Sequence, residues 1–226
     1  MLAALLLVVF ALIGWWFFMF VLKPLMGFSF VHTPLRTLSY FLILMFGITY
    51  FYFPYTGRLF GEPSVASLIF LGTVLVGINP WLYRFARNEH RVRVPATPAH
   101  PDLELLVLDG RFLLSKLGDV VFQQTVIGTL ILMFAGIPLL LLSILCACVF
   151  LVGHLGLIAR LPAHWSAYFL FSAFVGGAGI PYLILMIPGG FFYAVALHML
   201  WYVLTGAFYW TVEARRRTRT LHRGAR

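Results

Sequence analysis

An all-α, polytopic membrane protein is the fold class this sequence predicts, and three observations predict it. Sixty-two per cent of the 226 residues are hydrophobic and only 10% are charged, a balance far from that of an average soluble domain. The apolar runs are long enough for helices of about 20 residues, which cross a hydrocarbon core at 1.5 Å per residue. Proline and glycine punctuate those runs, and the basic residues gather at their ends.

The first run, MLAALLLVVFALIGWWFFMFVLKP, lacks a positive n-region and a small-residue cleavage site, and it exceeds a signal-peptide core in length. It is read as a retained helix over 2–22. Further helices are expected at 38–54, 64–82, 119–136, 138–159, 165–186 and 188–211. Their bounds fall at Lys23-Pro24, Pro54, Pro63, Gly136-Ile137-Pro138, Arg160-Leu161-Pro162 and Pro188-Gly189-Gly190, where proline or glycine stops a helix or reverses the chain. The count is seven transmembrane helices, or eight if the segment holding Gly176, Gly177, Gly179 and Pro181 is broken or re-entrant.

The organisation is therefore three amino-terminal transmembrane helices over 1–82, a cytoplasmic loop over 83–118, a four-helix membrane core over 119–211 and a basic tail over 212–226. Within the loop, RFARNEHRVRVPATPAHPD is solvated, whereas LELLVLDGRFLLSKLGD reads as an interfacial helix. Lys and Arg concentrate in the first, third and fifth loops and the tail, which hold all of them except Arg58. Cytoplasmic loops carry that excess. The expected topology is an inner-membrane protein with its amino terminus outside and its carboxyl terminus in the cytoplasm.

The formal charge of +9 does not point to nucleic acid, because no binding motif accompanies the basic residues; the arginine-rich tail suits a topology anchor that favours anionic lipid. Cys146 and Cys148 stand at i, i+2 in an apolar run and point to different sides of a helix, as reduced packing residues. Glu62, Glu89, Asp102, Glu104, Asp109, Asp119 and Glu213 all fall outside the deep parts of the spans, which argues against a carboxylate-driven pump or transporter.

The polar residues expected at depth are Asn79, Gln123, Gln124, His154 and His198. An amide or imidazole in hydrocarbon must find a hydrogen-bond partner, and packing glue between helices is its plainest role. Depth makes the joint case stronger. Gln123 and Gln124 lie roughly 6 to 8 Å along their helix from Asp119, His154 about 9 Å from Arg160, and His198 near the midplane. Asp119 with Gln123, Phe150 with His154, and His198 with Tyr202 are i, i+4 pairs, each sharing one helix face. The pattern predicts a polar pocket between the fourth, fifth and seventh helices, opening to the cytoplasm.

This order of motifs resembles the CAAX prenyl endopeptidase and bacteriocin-processing family of intramembrane proteases (CPBP, Abi), with its EExxxR, FxxxH and HxxxN or HxxxD motifs on successive helices. QQTVIG, Gln123 to Gly128, stands at the first, FLVGH, Phe150 to His154, at the second and HMLWY, His198 to Tyr202, at the third. The resemblance covers about residues 115 to 205 and implies a protease-type fold with Gln123, Gln124, His154, His198 and Tyr202 at its pocket, supported by Asp119 and Phe150. The family's glutamate is proposed to activate water with a histidine's help, and a glutamine cannot take that proton. Gly128 stands where the arginine would be, and Tyr202 where Asn or Asp would be. The implied protein is a divergent or catalytically inactive member whose pocket takes a lipid, a peptide or a partner helix.

Two other classes follow from the same residues. His154 and His198 are enough to provide axial ligands to a haem, or to hold a metal. Aromatic stretches such as WWFFMF and ITYFYFPY suit an accessory subunit packed against membrane lipids and a membrane-protein partner.

Overall fold

The computed structural model describes residues 1–61, 63–88 and 110–224, with side chains described outside 78–88, 159, 210 and 212–224. Among the described residues every regular element is helical. Helix α1 (Leu2–Phe17) passes through a π-helical turn at Phe18–Leu22 into α2 (Lys23–Met26). Gly27, at φ +67°, ends it in the left-handed conformation that glycine adopts without steric cost. Then follow α3 (Pro34–Phe51), α4 (Phe53–Gly61), α5 (Val65–Asn88), α6 (Gly110–Met133), α7 (Leu139–His154), α8 (Ala163–Met186) and α9 (Gly190–Gly224).

Among the described residues five stretches are long and apolar enough to cross a membrane: Leu2–Met26, Pro34–Phe51, Leu139–Ile158, Ala163–Met186 and Gly190–Tyr209. A sixth results if α4 and the Val65–Gly77 part of α5, bent by 84°, are counted as one broken span. The chain is thus a helical integral membrane protein, with five or six such spans among the described residues against the seven or eight expected. The 24-residue α6 is not among them: Arg111, Lys116, Asp119, Gln123 and Gln124 interrupt its apolar sequence.

That helix is nonetheless the centre of the bundle. It packs against α1, α3, α4, α5, α7, α8 and α9, and 16 of its 24 residues are buried. Close approach is built in by glycine: a Cβ at Gly118 would lie 2.7 Å from Leu38 Cδ1 and 3.2 Å from its carbonyl oxygen on α3. Small residues let membrane helices approach so closely. The aromatic rings of Phe18, Phe30, Phe41 and Phe122 pack between α1, α3 and α6, all fully buried or nearly so.

Two sequence expectations change at the elements. The LLSKLGD end of the 83–118 loop is not an interfacial segment: α6 begins at Gly110, and Phe112, Leu113, Ser115 and Lys116 are buried in the bundle. The solvated part of that loop lies mostly outside the described residues, as does the side chain of Asn79. The Gly-rich segment keeps the single helix expected over 165–186 and not its broken or re-entrant alternative, since α8 runs unbroken through Pro181 to Met186. The basic tail is not a separate segment, because α9 continues to Gly224.

Candidate functional site

The site begins with a row of polar side chains on α6. Lys116, Asp119 and Gln123, at i, i+3 and i+7, lie along one side of the helix. Lys116 Nζ donates to Asp119 Oδ2 at 2.5 Å, and Gln123 Nε2 donates to Asp119 Oδ1 at 2.7 Å. Both carboxylate oxygens are therefore engaged. Lys116 and Asp119 are only 3% and 0% exposed, so Asp119 is an acid buried inside the helix bundle. The ammonium also lies 4.2 Å from the Phe30 ring centre and 4.8 Å from that of Tyr202, within cation–π range. An opposite charge and two aromatic faces replace water around it.

Gln124, one residue on, points to another partner. Its amide nitrogen is 3.0 Å from His198 Nδ1 on α9, joining residues 74 positions apart. The other end of the same amide, Oε1, is buried without a hydrogen-bond partner. Because amide orientation and imidazole tautomer are assigned together from the network, turning the amide over exchanges which end bonds His198 and still leaves one end unpaired. His154 on α7 places Nδ1 2.8 Å from the Phe150 carbonyl oxygen, so that nitrogen carries the proton and Nε2 keeps its lone pair. The Phe150 ring stacks on the imidazole at 6.2 Å and 9°. Tyr202 stacks on His198 in the same way, at 5.4 Å and 8°.

These groups meet. Gln124, Phe150, His154, His198 and Trp201 line one cavity of about 360 Å³ between α6, α7, α8 and α9, within the size range of small-molecule sites. Phe150 and His154 also line a crevice of about 80 Å³ against α1, shared with Gln123 and Trp15, so the stacked pair forms a partition. Trp15 Nε1 is buried there without a partner. Among the described residues the larger cavity's lining contains no Asp, Glu, Lys or Arg. Its exposed lining includes Phe171 and Val175 on α8 and Leu197 on α9, so it opens at the side of the bundle, along α8 and α9.

Of the residues expected at the pocket, Gln124, Phe150, His154 and His198 come together, with α8 as a fourth wall. Gln123 turns away to Asp119 and the crevice. Tyr202 is buried behind His198, and neither it nor Asp119 lines either cavity. Lys116, Trp15 and Trp201 were not singled out from the sequence. The first was legible in principle, three residues before Asp119 on the same helix face.

Among the described residues no group of three or more His, Cys, Asp or Glu is gathered as for a metal ion. With Nδ1 of both histidines engaged by the protein, each ring is fixed in orientation by one nitrogen and has the other for a ligand, the way second-shell bonds orient imidazoles. The arrangement can bind through neutral hydrogen bonds; it offers a hydrolytic reaction no carboxylate base.

Fold and site together define a helical integral membrane protein with an uncharged polar cavity among four of its helices. Comparison with protein-family models, with curated proteins and with solved structures finds no match to this chain.

Proposed function

We propose that this protein is a non-hydrolytic counterpart of the CAAX-type intramembrane peptidases, seated in the bacterial inner membrane, and that its cavity holds a ligand instead of cleaving a substrate. The observation that carries the reading is the convergence of Gln124, His154 and His198, from three helices, on one cavity whose lining has no carboxylate. Those residues stand in the family's motif order, while glutamines occupy the places of its glutamates. The Asp119 carboxylate, four residues before Gln123, is held by Lys116 and Gln123 and does not line the cavity.

Reconstituted protein incubated with quenched-fluorescent membrane peptides, prenylated and not, is expected to show no turnover. Cleavage that His154→Ala and His198→Ala both abolish would overturn the reading.

A second reading, an accessory subunit of a larger membrane complex, is favoured by one observation. Ile43, Phe46 and Tyr50 on α3 are 63 to 80% exposed and lie at i, i+3 and i+7, a single apolar stripe. Purification after mild solubilisation tests it: a stoichiometric companion lost with Ile43→Ser/Phe46→Ser supports a subunit, and a solitary chain rejects it.

A further inference from the structure

We infer that the cavity between α6 and α9 binds one uncharged lipid bearing a hydroxyl group, admitted sideways from the bilayer between α8 and α9. The inference rests on the non-hydrolytic reading and names the ligand class for that site.

Three features of the cavity define the ligand. The first is access. Phe171, Val175 and Leu197 line the cavity and are 43 to 70% exposed, on helices that are apolar enough to span a membrane. Gly176 and Gly179 also line it, and a Cβ at either would meet nothing within 4 Å. The wall is therefore low and open on the side where lipid chains lie.

The second feature is charge. The lining has no ionisable group apart from the two imidazoles, and Lys116 and Asp119 neutralise one another behind it. A carboxylate or phosphate head would enter a site with no fixed cation, and an ammonium head one with no free anion. Each would lose its hydration without compensation. The head group is uncharged.

The third feature is hydrogen-bonding capacity, taken with both imidazoles neutral. His154 uses Nδ1–H on Phe150 and keeps Nε2 as an acceptor. If Gln124 donates to His198 Nδ1, then Gln124 Oε1 is the unpaired group and His198 Nε2 carries the donor. With the amide turned over, Gln124 Oε1 accepts from His198 Nδ1–H, His198 Nε2 becomes an acceptor and the Gln124 amide nitrogen donates. Both arrangements present two acceptors and at least one donor. A head that only accepts, such as a quinone, ester or ether, leaves those acceptors unsatisfied. A hydroxyl donates one hydrogen bond and accepts others, so it answers acceptors and donors of the set alike, and it is the simplest uncharged lipid head that does.

The unpaired end of Gln124 is thus completed by the ligand rather than by the protein. A buried polar atom without a partner is uncommon in native structures, and this one belongs to a fully buried side chain lining a cavity.

The test uses the full-length protein in phosphatidylcholine nanodiscs with three radiolabelled probes of equal chain length: hexadecanol, its methyl ether and hexadecanoate. Saturable binding of one hexadecanol per protein is expected, about tenfold tighter than the ether, as one buried hydrogen bond of ordinary strength provides, and tighter than hexadecanoate. Gln124→Leu is expected to erase the preference for alcohol over ether. Gly176→Leu extends a side chain where the structure leaves space, so it fills the cavity without touching the polar set; circular dichroism should be unchanged and saturable binding lost. Equal affinity for alcohol and ether in the wild type, or full binding by Gly176→Leu, would overturn the inference and leave the non-hydrolytic reading standing. Peptide cleavage would remove that reading and leave the lipid affinities as measured.

Discussion

At the scale of single residues, the Lys116–Asp119 pair decides how the bundle tolerates charge at its centre. Taking two ions out of water costs several kcal/mol each, and their attraction offsets this only while both are present. Removing one partner strands the other among Phe30, Phe112 and Tyr202. Lys116→Met and Asp119→Leu should each destabilise the protein by roughly 3 to 5 kcal/mol, and the double variant should recover most of that loss. Denaturant titration in mixed micelles measures it. A double variant as unstable as the sum of the two singles would show that the residues act separately. At the same scale, a Cβ at Gly128 would lie 2.7 Å from Leu59 Cδ1 on α4, so the glycine lets α4 and α6 pack closely.

At the scale of elements, neighbouring glycines on α8 have opposite duties. Gly177 faces α7, where an added Cβ would come within 2.9 Å of the Ala147 Cα and 3.0 Å of the Cys146 carbonyl oxygen. Backbone atoms cannot swing aside, so Gly177→Ala must push the two helices apart. Gly176 has open space at the same level. Gly177→Ala is expected to lower the thermal midpoint clearly, by an amount comparable to overpacking at about 1 to 3 kcal/mol, whereas Gly176→Ala leaves it unchanged or slightly raised, because alanine favours helix. A scanning fluorimetry comparison in detergent distinguishes them, and equal midpoints would refute the packing argument. The sequence reads this segment as one span with a break as its alternative, and the reason the break does not form is physical. Proline and glycine end a helix where water competes for the backbone. Inside a bundle the freed backbone groups find other partners, and Pro181 rides within α8. The start of α6 was obscured in another way: Lys116 and Asp119 fell in a stretch read as lying along the interface, but a charge answered by its opposite and by aromatic rings does not mark a surface. What was legible were uncharged polar residues in apolar sequence. Gln124, His154 and His198 stood out because hydrocarbon gives them no partner except one another or a ligand. Gln123 stood out equally, and only the side of α6 from which Asp119 draws it explains why it left the cavity.

At the scale of the whole molecule, the distribution of charge sets a topology that the helices must obey. The turn after α7 carries Arg160, and the turn before it, Ala135 to Pro138, has no basic residue. Positive charge is retained on the cytoplasmic side, which predicts that α7 runs from outside to inside and that the basic end of α9 is cytoplasmic. The protein permits a direct test, because its two native cysteines lie within α7, Cys146 buried and Cys148 on the outer face of a membrane-spanning helix, where a water-soluble thiol reagent does not reach. New cysteines at Ala135 and Ala163, both exposed and at opposite ends of the α7–α8 hairpin, then report without background. With a membrane-impermeant maleimide on spheroplasts, Ala135→Cys should react at once and Ala163→Cys only after permeabilisation. The reverse pattern would invert the topology, and with it the side from which a cytoplasmic partner reaches the protein. Labelling of both from one side would mean that α7 does not cross, and the cavity wall formed by Phe150 and His154 would then lie at a membrane surface instead of within the bilayer.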